Sequence, residues 1–417
     1  MSNYLIKLTP IGKFFFGGDM TFSVGAKERP KNWNSRTEEE KARIRKQIDD
    51  NTRYSSYIIK SEKFPQQTSL LGMLRFLLLR YYKDHLLFDI SGNKIKEGMS
   101  GEVEKVIGKS SFPALDEPEL ENKYGLIKEL SPCFLIKGDT IITLLPKDFG
   151  LETIDLSVGI LLSYNDNTIN LSKIVSRKKD NGDEIKYSAK DGLSARYGFT
   201  TKDDKGEDIV KTYNEEEIFI EDQRIGISRN IATGKTEENA LYKQINYRLA
   251  DDFCFAFYTN IDIDDITPYN NQIVLLGADS SQFVIQIVPL EGEDVNAEDL
   301  PKISLPPSNV DVNNGFCKIV LTSPTIIDKE IAKMADFAIT ETIPFKFMKT
   351  RVDQKEEYHR LSGIKHSNKV ELFQTGSVFY FRNDANVSKF KEEIENHKEF
   401  HQIGYNHFQV INLSTNK

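Results

Sequence analysis

One segment restricts the folding choices of this chain more than any other: residues 58–80, IIKSEKFPQQTSLLGMLRFLLLR. Pro65 biases Phe64 away from helical dihedrals, so the extended run over 57–60 has to turn before the chain continues. Gln66, Gln67, Thr68 and Ser69 are polar residues of the kind that open a helix, and the apolar run after them is long enough for about four helical turns. The pattern predicts a helix over 69–86 with Thr68 or Ser69 as its N-cap. The first turn of such a helix presents unpaired backbone N–H groups and the positive end of the macrodipole. Lys60, Lys63, Gln66 and Gln67 stand just before it and Arg75 within it, an arrangement suited to phosphate.

Around this segment the chain reads as α+β. Residues 4–8 alternate as a strand, and Phe14–Phe16 followed by Gly17-Gly18 is a turn signal. Residues 28–51 form a polar, charge-dense insertion with a short helix over 37–48, where Thr37 and Glu40 have capping-box spacing. A strand near 87–90 turns at 91–94. Runs over 134–136 and 140–145 are joined by Lys137-Gly138-Asp139, which suits a tight hairpin. Strand, helix, strand, hairpin is an order of elements compatible with a ferredoxin-like fold. Periodicity fades over 164–217, a loop-rich insertion that has room for a protruding hairpin. From 218 onward strands dominate, over 241–249, 253–258, 272–276, 283–288, 318–322, 378–381 and 408–411, with only 326–335 and 389–401 helical. A chain of 417 residues exceeds the usual single-domain size. The expected organisation is therefore two ferredoxin-like (RRM-like) domains with insertions: 1–163 with the polar insertion 28–51, then the loop-rich 164–217, then a strand-rich 218–417.

The longest apolar stretch contains Arg75 and is too short to span a bilayer, and residues 1–19 lack the pattern of a signal peptide. A cytoplasmic location is the expectation. Cys133, Cys254 and Cys317 are widely spaced in apolar contexts, which reads as reduced thiols. The net charge of −8 argues against an independent nucleic-acid binder, because affinity for a polyanion comes mainly from cations. The charge is uneven, however. Residues 54–85 and 224–248 are locally basic, the second window through Arg224, Arg229, Lys235, Lys243 and Arg248, and acid concentrates elsewhere.

Metal and nucleotide sites find no support in spacing. Asp262-x-Asp264-Asp265 lacks the third ligand and the turn glycine of a calcium loop and reads as a solvated acidic turn. Thr233-Gly234-Lys235-Thr236 fails the phosphate-loop pattern because Arg229 stands where its first glycine belongs. What remains of residues 224–242 is a strand, a turn and a second extended segment, with Arg224, Arg229, Lys235 and Tyr242 available to phosphates and an exposed base. Guanidinium and phenol planes suit single-stranded RNA, although an ordinary solvated hairpin has the same pattern. Among the histidines, His401 and His407 flank Gly404, but no general acid–base partner is identifiable from spacing.

Three ordered stretches resemble a known family: Phe15-Phe16-Gly17-Gly18-Asp19 with residues 64–75, Arg224-Ile225-Gly226-Ile227 with Thr233-Gly234 and Glu238-x-x-Leu241-Tyr242, and residues 376–381 with 402–411. Together they are similar to the RAMP proteins of CRISPR systems, and within these to the third subunit of the Cmr complex, the type III-B effector. The resemblance implies a subunit without catalytic activity or cofactor that caps one end of a ribonucleoprotein. It implies partners as well: the 5′ handle of the guide crRNA, the large cyclase-bearing subunit and the first backbone RAMP subunit. The family's glycine-rich C-terminal loop, which lies against RNA, corresponds here to a segment with one glycine, so contact there falls to Gly404, Asn406 and His407. The full RNA-contacting set expected is Lys60, Lys63, Gln66, Gln67, Thr68, Arg75, Arg224, Arg229, Lys235, Tyr242, Gly404, Asn406 and His407. The alternatives are a guide-processing endoribonuclease of the same superfamily and a structural bridge without RNA contact.

Overall fold

A computed structural model describes residues 2–17, 20–23, 37–41, 56–81, 98–108, 112, 124–147, 164–165, 168–169, 177–178, 184–185, 196–202, 208–229, 236–263, 265–277, 279–290, 316–335, 337–349, 365–366, 369–381 and 384–413. The fold is α+β, rich in strands that pair mostly antiparallel. The elements that build its main sheets and their covering helices are β1 (Ser2–Pro10), β2 (Met20–Ser23), β3 (Ser56–Lys60), α1 (Gln67–Tyr81), β4 (Ile127–Leu130), β5 (Phe134–Lys137), β6 (Thr140–Leu144), β7 (Arg196–Lys202), β8 (Asp208–Asn214), β9 (Phe219–Arg229), β10 (Thr236–Leu249), β11 (Phe253–Ile261), β12 (Ile273–Leu275), β13 (Gln282–Leu290), β14 (Phe316–Leu321), β15 (Phe337–Ile339), β16 (Val378–Phe381), α2 (Asp384–Asn396), α3 (Lys398–Gln402) and β17 (Phe408–Leu413).

The largest sheet has nine strands in the order β8-β7-β6-β5-β11-β1-β13-β12, with β4 also on β11. Strand β1 sits between β11 and β13, pairing Leu8 with Phe255 on one side and with Ile285 on the other. Strands from both sides of residue 218 therefore share one sheet. Its alternation is strict: Tyr4, Ile6 and Leu8 are buried while Leu5 and Lys7 face the other way. Helix α1 lies on the buried face, contributing Leu70, Leu71, Leu74, Leu77 and Leu78 to a core with Phe255, Phe257, Phe283 and Ile285. Each such leucine contributes roughly 1.5–3 kcal/mol of burial. The helix begins at Gln67, two residues ahead of the expected start, because the Gln66 carbonyl already accepts the amides of Ser69 and Leu70.

A second sheet has the order β9-β10-β3-β2, and a third, β15-β16-β14-β17, is covered by α2 through Phe379, Phe381, Phe390 and Ile394. The hairpin at 137–139 is present, with Gly138 at φ +59°, and so is the Thr37–Glu40 capping box. Within 164–217, β7 and β8 form an antiparallel hairpin that docks on β6 and extends the large sheet. The helix expected over 326–335 shrinks to Lys329–Ala332. The Ile326 amide donates to Asn406 Oδ1 and Thr325 bridges Phe373, which holds 325–326 extended until Asp328 caps the turn. The strand expected near 87–90 and most of the insertion 28–51 lie outside the described residues. No described helix is long and apolar enough to cross a membrane. The three cysteines are free, and Asp265 accepts from the Thr267 amide, as in a solvated turn.

Candidate nucleic-acid interface

Strand β10 runs parallel to β3, with Tyr242 opposite Tyr57, Gln244 opposite Ile59 and Ile245 opposite Lys60. On its other edge β10 pairs antiparallel with β9, placing Arg224 opposite Gln244. The two basic windows of the sequence thus meet on neighbouring strands. Alternation separates their side chains, however. Lys60 shares a face with Glu221 and Tyr247, whereas Arg224 shares the opposite face with Asp222 and Gln244.

On the first face Lys60 and Lys63 gather over one ring. Their Nζ atoms lie 6.0 and 5.6 Å from the centroid of Tyr247. Lys60 pairs with Glu221 at 3.6 Å, and Lys63 pairs with Glu215. The Tyr247 hydroxyl raises the Lys60 pKa above the usual lysine value, opposed by burial and assisted by Glu221 and Glu215. Glu215 opens the single helical turn Glu215–Ile218, in which the Glu217 carboxylate accepts the Asn214 amide. Glu215, Glu221 and Tyr247 were not among the expected site residues. The acidic run 215–217 after Asn214 marks a helix start in sequence, but only the sheet register brings it to the lysines.

Gln66 and Arg224 are exposed and Thr68 is half-buried. Arg229 and Tyr242 occupy strand positions opposite Thr236 and Tyr57, and Lys235 lies outside the described residues.

Five expected contact residues belong instead to the interior. Gln67 is buried, and its Nε2 donates to the carbonyls of Ser131 at 2.9 Å and Gly404 at 3.0 Å. Gly404 adopts φ +88°, and a Cβ there would stand 2.5 Å from the Ser131 carbonyl oxygen. The neighbouring Tyr405 hydroxyl, pushed up by burial, lies against Thr68 and the amides of Gln67 and Thr68. The start of α1, expected to seat phosphate, is thus filled by the chain's own C-terminal loop. Arg75 is buried with its guanidinium 5.5 Å from the Tyr124 ring, and desolvation lowers its pKa to about 10. Asn406, fully buried at φ +57°, accepts from the Ile326 amide at 2.9 Å and donates to the Ile394 carbonyl at 3.1 Å. The buried His407 ring stacks on His401 at 3.9 Å with Nε2 3.1 Å from the His401 carbonyl, and burial drives its pKa down to about 3.

His401 borders a polar cavity of about 430 Å³ lined by Lys128, Glu129, Glu395, Lys398 and Gln402. Among the described residues no group of three or more His, Cys, Asp or Glu side chains is close enough to hold a metal ion.

The family model described as "CRISPR-associated protein (Cas_Cmr3)" matches residues 173–413. A search of curated proteins finds no match. Among solved structures, a chain of the cryo-EM structure of the Type III-B Cmr-beta bound to cognate target RNA is similar at 14% identity and a TM-score of 0.44, over 98% of this chain and 96% of that one. A chain of the structure bound to cognate target RNA and AMPPnP is similar at 13% identity and a TM-score of 0.43, over the same shares of each chain.

Proposed function

The chain belongs to the Cas_Cmr3 family of CRISPR-associated proteins, and from that premise we propose that it is a non-catalytic subunit of a cytoplasmic type III-B CRISPR ribonucleoprotein that grips the 5′ repeat-derived handle of the guide crRNA. In this reading it docks on the large cyclase-bearing subunit and contacts the first backbone RAMP subunit. Its two halves are ferredoxin-like, the first completed by the strands over 253–290 that flank β1. The observation that carries the reading is the parallel pairing of β3 with β10, which sets Lys60 and Lys63 beside the hairpin that bears Arg224. Lys60 and Lys63, with the exposed Gln66 after them, meet backbone phosphates on one face of this sheet, and Arg224 meets them where the strand passes round to the other face, with Arg229, Lys235 and Tyr242 extending the track along the hairpin. Gln67 and Gly404 instead tie the C-terminal loop to the start of α1, while Arg75, Asn406 and His407 pack in the interior. A binding rather than cutting role is supported by His407, whose burial and contact with the His401 carbonyl leave it poorly placed to move a substrate proton.

The test is guide RNA recovered with the purified effector complex. Replacing Lys60, Lys63 and Arg224 together by Ala is expected to lower crRNA occupancy by about tenfold at physiological salt, since phosphate contacts dominate affinity. Ultraviolet crosslinks from the guide are expected on the hairpin 219–249. Full occupancy in the triple variant, with crosslinks elsewhere, overturns the proposal.

A further inference from the structure

Lys60 and Lys63 of the proposed RNA track are already occupied by acid from the same chain. Glu221 reaches Lys60 from the adjacent hairpin strand, and Glu215 reaches Lys63 from the turn that follows β8. Two ammonium groups and two carboxylates share the face of Tyr247, so the cluster carries no net charge and sets up little field to attract a polyanion. The Glu215–Lys63 pair is three-quarters or more withdrawn from solvent on each side, while the Glu221–Lys60 pair is about half exposed. The half-exposed Glu221–Lys60 pair is weak enough to exchange partners, and Glu215–Lys63 exchanges only where a phosphate replaces the carboxylate. A phosphate oxygen satisfies an ammonium group at least as well as a carboxylate does.

We infer that Glu215 and Glu221 form an electrostatic latch: in the unassembled chain they hold Lys60 and Lys63 and exclude RNA phosphates, which displace them on binding. This rests on the RNA reading above and adds a regulation to it. The latch keeps the free subunit from capturing unrelated RNA, and phosphates delivered at high local concentration by the assembling complex open it. Glu215 and Glu221 then become free carboxylates beside bound RNA, repelling any strand that lacks the contacts to offset them.

The experiment measures binding of a short unstructured RNA oligonucleotide to the full free chain by fluorescence anisotropy. Glu215→Gln with Glu221→Gln is expected to tighten binding by about tenfold, a few-fold for each carboxylate released. Glu221→Gln alone is expected to give about threefold and leaves the 215–218 turn untouched. Glu371→Gln with Glu392→Gln makes the same change in net charge at exposed carboxylates elsewhere and is expected to have much less effect. Lys60→Ala with Lys63→Ala is expected to weaken binding and to abolish the gain from the two glutamine substitutions. If the lysine variant binds less well but the glutamine variants bind as the unaltered chain does, or no better than the charge-matched control, the latch is overturned and the RNA reading stands. If the lysine variant binds as well as the unaltered chain, the RNA contact at these lysines falls and the latch falls with it.

Discussion

Among the described residues, His407 is a buried group whose titration bears on stability below neutral pH. Burial and the neighbouring His401 hold its folded pKa near 3, against an ordinary value of 6.5, and His401 is itself lowered by burial. Between these two pH values the unfolded chain binds a proton that the folded chain does not, so stability is lost as the pH falls below 6.5 and the loss levels off near 3. At pH 5 the His407 contribution alone amounts to about 2 kcal/mol. Urea midpoints at pH 7 and pH 5 are expected to differ accordingly, and His407→Gln is expected to shrink the difference. A midpoint independent of pH over this range would show that the imidazole is not neutral and enclosed. Arg75 follows the same logic from the opposite side of pH 7. Its desolvated guanidinium, at about 10, stays charged under ordinary conditions, packed on Tyr124 in the core.

At the scale of elements, the decisive device is the clamp of the loop 403–407 on the start of α1. Gly404 combines a left-handed φ with a backbone approach that excludes a Cβ, and its carbonyl accepts from Gln67. Gly404→Ala is expected to cost about 2–4 kcal/mol through strain and displacement of the loop, read as a fall in the thermal midpoint. An unchanged midpoint would mean that the loop is free to move off the helix. The same clamp shows where sequence is legible and where it is not. Pro65, the Thr37–Glu40 box and Lys137-Gly138-Asp139 act within a few residues, and each appears where local chemistry predicts it. Gln67, Asn406 and His407 are polar, and their own chemistry does not distinguish a side chain that bonds a buried carbonyl from one that meets phosphate. The available hint was their setting: Gly404 and Asn406 both tolerate positive φ, and Ile403, Tyr405 and Phe408 around them are apolar, as in a turn packed inward. Likewise the parallel register of β3 with β10 is fixed by no turn, so neither the meeting of the two basic windows nor the opposite orientations of Lys60 and Arg224 is written in the local sequence.

For the molecule as a whole, the net charge of −8 and the paired lysine cluster are expected to make the isolated chain a poor ligand for RNA. Binding by the free subunit is expected to be weak at physiological salt and to fall steeply with salt, with log K changing by about 0.7 per phosphate contact for each tenfold step in concentration. Removing Lys60 and Lys63 is expected to lower that slope by about 1.4. A slope that is flat or insensitive to these lysines would assign the affinity to uncharged contacts.

The place of β1 between β11 and β13 has a consequence for biosynthesis. Strand Ser2–Pro10 leaves the ribosome long before either neighbour exists, and its two edges stay unsatisfied until Leu290 has been translated. The nascent chain therefore carries an apolar strand with open hydrogen-bonding edges through most of its synthesis. Fragments ending before residue 253 should accumulate in aggregates or on chaperones rather than as a folded amino-terminal half.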